Sequence, residues 1–347
     1  QNIDTKVMPN GIVYVVAKIY DAVGNYSYSP KQKYMCDNQG PEQVKNVKCI
    51  AVDGTTATLS WSDVSDDDIS YFVVECKQSD GVWKSVSRTS TNLGVNLSGL
   101  TPEHDYVYRV IGYDKRSNRG TPSEEITVTT LKDTICPKVT KITPDPGYFK
   151  SEINLRFTAE DDYRVKSIEI QTSTDKESWK TVSEIKATGE SAKCTFDCKL
   201  DLKNYEEGSV FVRAKVYDSY GNVTEDKDLT CYEYVVDRTA PIQPTGVTAS
   251  SGETEGGSSF VNISWNAITD DNSFAYYRVY KSNSADGEFT LLKNNVKTVN
   301  TYDENVDFSA TYYYKVEAVD LAGNVGKQSE VVSCKVKDDT EKPVIYD

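Results

Sequence analysis

The chain has 347 residues, of which 39 are Lys or Arg and 53 are Asp or Glu, so its formal net charge is −14 at pH 7. This acidic balance argues against a nucleic acid or an anionic membrane as partner, because the sequence offers no basic face to neutralise phosphates. It leaves many carboxylates available for divalent cations. No apolar run is long enough to span a bilayer, so we expect no membrane insertion in this segment.

One turn pattern predicts an array of small domains. A motif of the form Tyr/Val-Asp-x-x-Gly-Asn recurs about every hundred residues, at 20–25, 113–118, 217–222 and 319–324, with Ser117 replacing the glycine in the second copy. An Asp four residues before a Pro precedes each new domain, at 37–41, 133–137, 237–241 and 339–343, where proline suits a linker. The predicted segments are a first module (1–37), second (38–132), third (133–237) and fourth (238–338), and the start of a further module (339–347).

The first module matches only the later part of the third. Residues 10–18 align with 207–215, and the first half of that domain has no counterpart. We therefore expect the chain to begin within a domain and to be a segment of a longer repetitive protein.

The second module shows period-two alternation with turn residues between short runs and no helical period. The runs at 57–61, 71–76, 82–86, 106–113 and 125–130 belong to about seven strands in this module. This pattern predicts an all-β fold, a tandem array of seven-stranded antiparallel β-sandwiches.

The second and fourth modules resemble fibronectin type III domains. The matching features are Trp61 after Leu59-Ser60, Trp265 after Ile263-Ser264, and Leu100-Thr101-Pro102 followed by Tyr106, the tyrosine-corner pattern of that family. The fourth module has Tyr312 at the corresponding place, but Val306-Asp307-Phe308-Ser309 replaces the Leu-Thr-Pro run. The resemblance implies the sandwich fold and says little about activity.

The third module departs from that pattern. Phe157 stands where the Trp would be, and residues 184–202 form a longer middle section. This module resembles a bacterial immunoglobulin-like module, and the first module resembles the third. The alternation of two module types is similar to that in large secreted or cell-surface proteins of Gram-positive bacteria, and it implies an extracellular location.

Acidic turns at one pole of a sandwich form the candidate metal sites. In an antiparallel sandwich the incoming linker and two turns meet at the same pole, and converging carboxylates and amide oxygens are typical calcium ligands. In the third module these residues are Asp133, Glu160, Asp161, Asp162, Asp218 and Asn222. In the fourth they are Asp237, Asp270, Asp271, Asp320 and Asn324. We expect calcium at these junctions to restrict the angle between modules.

The alternative is that these are ordinary solvated turns. Asp accepts main-chain hydrogen bonds in such turns, and Gly and Asn tolerate positive φ. In the second module Ser117 and a looser linker at 37–41 favour this interpretation.

Catalysis finds little support. The only histidine, His104, lies in a turn beside Tyr106, and no Ser or Cys has a base to activate it. Trp83, Trp179 and Phe289 follow equivalent turns and either stack on sugars or pack across the sheet edge, the latter being favoured by their recurrence. For the eight cysteines the favoured interpretation is buried free thiols.

The sequence thus predicts a non-catalytic spacer or stalk of a larger secreted or cell-surface bacterial protein, whose partners are the neighbouring modules of the same chain. The alternative is an adhesin or carbohydrate-binding region that contacts a host protein or glycan. A contiguous exposed aromatic patch would favour the alternative.

Overall fold

The computed structural model describes residues 3–90, 92–255, 257–269 and 271–338. The chain forms two compact units. The first contains residues up to 136 together with 161–164 and 218–222, and the second contains the rest. The predicted further module at 339–347 lies outside the described residues.

The first module contributes two two-stranded sheets and a 3₁₀ turn at Thr5–Val7. Its strands are β1 (Gly11–Val15), β2 (Lys18–Tyr20), β3 (Tyr26–Tyr28) and β4 (Gln32–Cys36). Strand β1 pairs antiparallel with β4, and β2 pairs with β3.

The second module is a seven-stranded antiparallel sandwich. Its strands are β5 (Lys48–Val52), β6 (Ala57–Ser60), β7 (Ile69–Lys77), β8 (Trp83–Thr89), β9 (Gly94–Leu97), β10 (Asp105–Asp114) and β11 (Ile126–Thr129). One sheet has the order β5-β6-β9 and the other β11-β10-β7-β8. Leu59 and Trp61 are buried between the sheets, and the Trp61 ring packs edge-on against Phe72 at 5.6 Å. The alternation of apolar and polar residues along these strands therefore has the expected cause: every second side chain points into the core between the two sheets.

The third module has fewer but longer strands. They are β12 (Lys138–Thr143), β13 (Tyr148–Phe149), β14 (Glu152–Ser173), β15 (Lys180–Asp201), β16 (Gly208–Asp218) and β17 (Tyr232–Val236), with a 3₁₀ turn at Asp226–Asp228. The acidic turn expected at 160–162 is instead an irregularity inside β14, where the register with β15 shifts between Glu160 and Val165. Phe157 lies fully buried opposite Phe196, in the role that Trp61 has in the second module.

The fourth module repeats the strand order of the second. Its strands are β18 (Thr248–Glu253), β19 (Ser259–Ser264), β20 (Phe274–Ser282), β21 (Thr290–Val296), β22 (Asn300–Asp303), β23 (Thr311–Asp320) and β24 (Val332–Lys335). The sheets are β18-β19-β22 and β21-β20-β23-β24. No helix in the described part of the chain is long and apolar enough to cross a bilayer.

The tyrosine corners are formed as expected. The Tyr106 hydroxyl accepts a hydrogen bond from the main-chain N–H of Thr101 at 2.8 Å. In the fourth module the Tyr312 hydroxyl accepts from the N–H of Asp307 at 3.1 Å. Each tyrosine therefore satisfies a main-chain donor in the turn that precedes its strand.

We expect Tyr106→Phe to destabilise the second module by about 1 kcal/mol, because the Thr101 N–H loses its acceptor. Hydrogen exchange of the Thr101 amide, measured by mass spectrometry on the whole chain, should accelerate. Tyr113→Phe is the matched control, since the Tyr113 ring stacks on Tyr71 in the same sheet. Equal acceleration at Thr101 in both variants would contradict the assignment.

Candidate functional site

An asparagine in each recurrent turn holds the linker in front of its own module. The Nδ2 groups of Asn118, Asn222 and Asn324 donate to the main-chain oxygens of Asp37 at 3.0 Å, Asp133 at 3.2 Å and Asp237 at 3.0 Å. The same Nδ2 groups donate to Oδ2 of the aspartates four residues earlier, Asp114 at 2.7 Å, Asp218 at 2.6 Å and Asp320 at 2.8 Å. The motif therefore works as a clasp on the incoming linker. These contacts use the Nδ2 groups of Asn222 and Asn324, and the expected role of their Oδ1 atoms as calcium ligands stays a prediction.

The residue after the linker aspartate forms a second clasp, on the module behind it. Asn38 donates through Nδ2 to the main-chain oxygens of Thr5 at 2.8 Å and Met8 at 3.2 Å. Its main-chain N–H donates to Oδ1 of Asn10 at 2.8 Å.

Arg238 makes the equivalent contacts in the third module. Its guanidinium donates to the main-chain oxygens of Leu202 at 2.7 Å, Tyr205 at 3.1 Å and Lys150 at 3.1 Å. Its main-chain N–H donates to Oε1 of Glu207 at 2.8 Å. Because Leu202, Tyr205 and Glu207 align with Thr5, Met8 and Asn10, the first and third modules hold their outgoing linkers in the same way. This clasp was not predicted from the sequence, because the side chains of Asn38 and Arg238 have only one feature in common: both carry N–H donors.

Three aspartates converge at the second linker. One carboxylate oxygen of each of Asp133, Asp161 and Asp218 lies within 4.8 Å of those of the other two. Asp133 and Asp218 are buried, with 1% and 0% of their surfaces exposed. The sequence analysis named all three, so the expected convergence of linker and loops occurs here.

Main-chain N–H groups hold one oxygen each of Asp133 and Asp161 and leave the other without a partner, whereas both oxygens of Asp218 accept hydrogen bonds from Tyr220 and Asn222. Oδ1 of Asp133 accepts from Ile135 at 2.9 Å, and Oδ2 of Asp161 accepts from Tyr163 at 3.2 Å and Arg164 at 3.1 Å. The other oxygens, Oδ2 of Asp133 and Oδ1 of Asp161, are buried and have no hydrogen-bond partner among the described residues. An unpaired buried polar atom costs free energy, so two in one cluster need an explanation.

The electrostatics of this cluster disfavour ionisation. Burial, with like charge from Asp162, Asp133 and Asp218, raises the pKa of Asp161 to about 6. Burial also raises the pKa of Asp133, with like charge from Asp162, Asp218 and Asp53 adding to it. In the absence of a cation, the cluster is therefore a region of mutual carboxylate repulsion.

The two other acidic residues predicted for this site, Asp162 and Glu160, make contacts outside the group of three aspartates. Asp162 accepts a hydrogen bond at Oδ2 from the Thr55 hydroxyl at 2.9 Å, so it ties its loop to the second module. Glu160 forms a salt bridge with Lys193 on the neighbouring strand, so its prediction as part of the acidic pole was wrong. Alternation in β14 points its side chain away from the cluster.

The second module also gathers three carboxylates, Asp37, Asp68 and Asp114. From the sequence, solvated turns without a cation were the favoured interpretation for this module. A side-chain hydrogen bond between Asp68 and Asp66, together with burial and like charge from Asp66, Asp114 and Asp37, raises the pKa of Asp68 to about 6. Oδ2 of Asp37 faces the Arg116 guanidinium at 3.7 Å, and none of the three aspartates has a buried unpartnered oxygen among the described residues.

The residues predicted for the fourth module are not gathered in this way. In the part of the chain that the structure describes, no group of three ligand atoms includes Asp237, Asp271 or Asp320. Asp270 lies outside the described residues. Oδ1 of Asp237 accepts from Thr239, and Oδ1 of Asp271 accepts from Ser273. A cation site there stays a prediction.

The recurrent aromatic residues pack under cations. The guanidinium carbons of Arg109 and Arg213 lie 4.0 Å from the ring centroids of Trp83 and Trp179. The Lys315 ammonium lies 4.3 Å from the Phe289 ring centroid. These contacts cover one ring face each, as expected for packing across the sheet edge. His104 is exposed and its ring meets Tyr106 edge-on. The predicted buried free thiols are found at Cys36, Cys76, Cys198 and Cys334, whereas the Cys231 thiol is exposed.

Successive β-sandwich modules joined by short clasped linkers define a modular protein of the immunoglobulin-like β-sandwich class. Residues 42–129 match the family model of the Fibronectin type III domain. The resemblance of the second module to that family is thus supported by the family model, and the predicted all-β array of sandwich modules is confirmed.

Two curated proteins are similar to this chain. Exoglucanase B of Cellulomonas fimi is 27% identical over 313 residues, which cover 87% of this chain and 26% of that protein. Chitinase Chi52 of Paenibacillus xylanexedens is 30% identical over 107 residues, which cover 31% of this chain and 18% of that protein. The chain thus spans about a quarter or less of the relatives it matches. Among solved structures, the three domains FN1–FN3 of chicken CNTN1 cover 86% of this chain and all of that chain, at 17% identity and a TM-score of 0.43.

Proposed function

We propose that this chain is a non-catalytic spacer within an extracellular, multidomain bacterial protein that degrades polysaccharides. The observation that carries the proposal is the double clasp. The linkers at 37–38 and 237–238 are hydrogen-bonded both to the module behind them and to the module in front. Flexible linkers of Gly and Ser leave the domains they join free to reorient, whereas these linkers give up that freedom.

The relatives support the extracellular and polysaccharide parts of the proposal. Exoglucanase B aligns with nearly the whole of this array, yet the aligned region is about a quarter of that protein, which leaves ample length there for other domains. By analogy, the array positions another domain. A divalent cation at the acidic junctions is proposed to add to the stiffness that the clasps provide.

Small-angle scattering of the whole segment tests the spacer function. We expect a narrow distribution of maximum dimension that broadens in an Arg238→Ala/Asn324→Ala double variant, because both clasps on the linker at 237–238 are then lost. Arg156→Ala is the matched control, since Arg156 pairs with Asp197 on an exposed strand surface. A wild-type distribution as broad as that of the double variant would reject a stiff spacer. Adding about 2 mM Ca²⁺ and then a chelator tests the cation's contribution separately.

One observation favours the alternative of glycan or host-protein binding. Hairpin β2–β3 exposes Tyr20, Tyr26 and Tyr28, each more than half accessible, around the Lys18 ammonium. Their rings are tilted or perpendicular to one another rather than coplanar, so they form no flat platform for a sugar chain. Co-sedimentation with insoluble glucan or chitin, compared between wild type and a Tyr20→Ala/Tyr26→Ala variant, would detect such binding.

A further inference from the structure

We propose that Asp133, Asp161 and Asp218 bind one Ca²⁺ ion. The three side chains come from the linker, from β14 and from the end of β16, and their ligand atoms lie within 4.8 Å of one another. A cation among them would complete a site that the fold has already assembled.

The unpartnered oxygens carry the argument. Asp133 has 1% of its surface exposed, and its Oδ2 has no partner among the described residues. Oδ1 of Asp161 is likewise buried and has no hydrogen-bond partner among the described residues. Buried carboxylates are retained in proteins when they are paired or bind a metal. A divalent cation would supply the missing partner to both oxygens and remove the repulsion between the three charges.

The donor set selects the cation. All three ligands are carboxylates, which suit hard cations, and neither imidazole nor thiolate belongs to the group. Mg²⁺ demands near-octahedral geometry and keeps its water, whereas Ca²⁺ accepts six to eight oxygens in irregular arrangements. Main-chain N–H groups hold one oxygen each of Asp133 and Asp161, so these ligands are already oriented.

The other acidic groups lack the same combination. The group of Asp37, Asp68 and Asp114 converges, but the described residues show no buried unpartnered oxygen in it. Asp271 has a buried unpartnered Oδ2 but belongs to no group of three among the residues described. Within the described ranges, only the second linker combines convergence with orphaned oxygens, so we assign one Ca²⁺ ion to this group of three aspartates.

Bound Ca²⁺ would join the linker to the loops 161–164 and 218–222, which already contact the second module through Asp162 and through the Tyr220 hydroxyl on the Pro102 carbonyl. In this respect the inference deepens the proposed function. The binding itself does not depend on it, and the scattering response to Arg238→Ala/Asn324→Ala tests the spacer without any cation.

Calorimetric titration of the whole chain with Ca²⁺ tests the site. We expect one equivalent with a Kd of about 0.1–1 mM and binding at least about tenfold weaker in Asp161→Asn. Tb³⁺ luminescence gives a second readout, because the Tyr163 and Tyr220 rings pack 5.8 Å apart beside the site and can sensitise a bound lanthanide. Asp133→Asn should reproduce the loss, and circular dichroism confirms that both variants fold.

Asp197→Asn is the matched control, because it removes an exposed carboxylate that pairs with Arg156 and belongs to no group of three among the described residues. It should leave Ca²⁺ affinity unchanged. The assignment is overturned by a titration without saturable binding, or by an Asp161→Asn chain that binds as tightly as wild type.

Discussion

Asp303→Ala is expected to destabilise the fourth module by about 3–5 kcal/mol, the range for removing one partner of a buried ion pair. Oδ2 of Asp303 lies 2.7 Å from the Lys281 ammonium and accepts from the Tyr314 hydroxyl at 2.9 Å. The Asp303 side chain is fully buried, and only 16% of the Lys281 side chain is exposed. Burial and the hydrogen bond to Asp303 raise the pKa of Tyr314, so its hydroxyl stays protonated and needs this acceptor. Alanine would therefore leave the buried Tyr314 hydroxyl without its acceptor and the Lys281 ammonium without a counter-charge, in contact only with the Asn305 carbonyl and the Tyr312 ring among the described residues.

Hydrogen exchange in the whole chain is the suitable measurement, because a single melting temperature is not well defined for several domains. We expect faster exchange at the amides of β23 and no change in β10. The triple variant Asp303→Leu/Lys281→Met/Tyr314→Phe should recover most of the loss, since both charges and the buried hydroxyl are then absent. A single variant within about 1 kcal/mol of wild type would show that the pair is solvated instead of buried.

The repeat and the alternation of strands were readable in the sequence because both are local. Each of the tryptophans Trp61 and Trp265 and each tyrosine corner has a fixed place relative to the strands around it. These residues therefore identified their strands in the second and fourth modules. The third module was harder. Residues 152–173 contain acidic residues that suggest a turn, but the chain stays extended through them and absorbs the irregularity as a register shift.

The candidate site was readable only in part. The convergence of Asp133, Asp161 and Asp218 followed from the topology of a sandwich, which brings linker and loops to one pole. The group of Asp37, Asp68 and Asp114 was set aside because Ser117 replaces glycine, yet Ser117 adopts the left-handed conformation with φ of 66° and the turn closes as in the other copies. The exclusion of Glu160 depends on which way one side chain points, and that is fixed by strand pairing far along the chain.

The outgoing clasps could not have been found from residue type. Asn38 and Arg238 share a position and a set of acceptors, but their side chains differ in size and charge. Only the alignment of the first module with the third, combined with the coordinates, shows that both donate to the same main-chain oxygens. The acceptors are main-chain carbonyl groups, which every residue carries, so residue type does not reveal them. They belong to Thr5, Met8, Leu202 and Tyr205.

Arg238→Ala is expected to cost about 2 kcal/mol in the local stability of the loop at 202–207. Three main-chain oxygens, of Leu202, Tyr205 and Lys150, accept hydrogen bonds from the guanidinium at once. A hydrogen bond from a charged donor contributes about 1.5–3 kcal/mol, and the partial exposure of Arg238 keeps the sum well below three such bonds, because water replaces the donor at the exposed oxygens.

The measurement is amide exchange at 202–207 in the whole chain, compared with Arg156→Ala. That control removes an arginine paired with Asp197, and with more than half of both side chains exposed the pair should contribute about 0–1 kcal/mol. Arg238→Lys separates charge from geometry, since an ammonium is a single point and cannot reach three carbonyls as a planar fork does. If Lys restores wild-type exchange, the positive charge is what stabilises the loop. If Lys behaves like Ala, the loop is stabilised by the three separate hydrogen bonds that the guanidinium nitrogens donate, and a positive charge at this position is not sufficient.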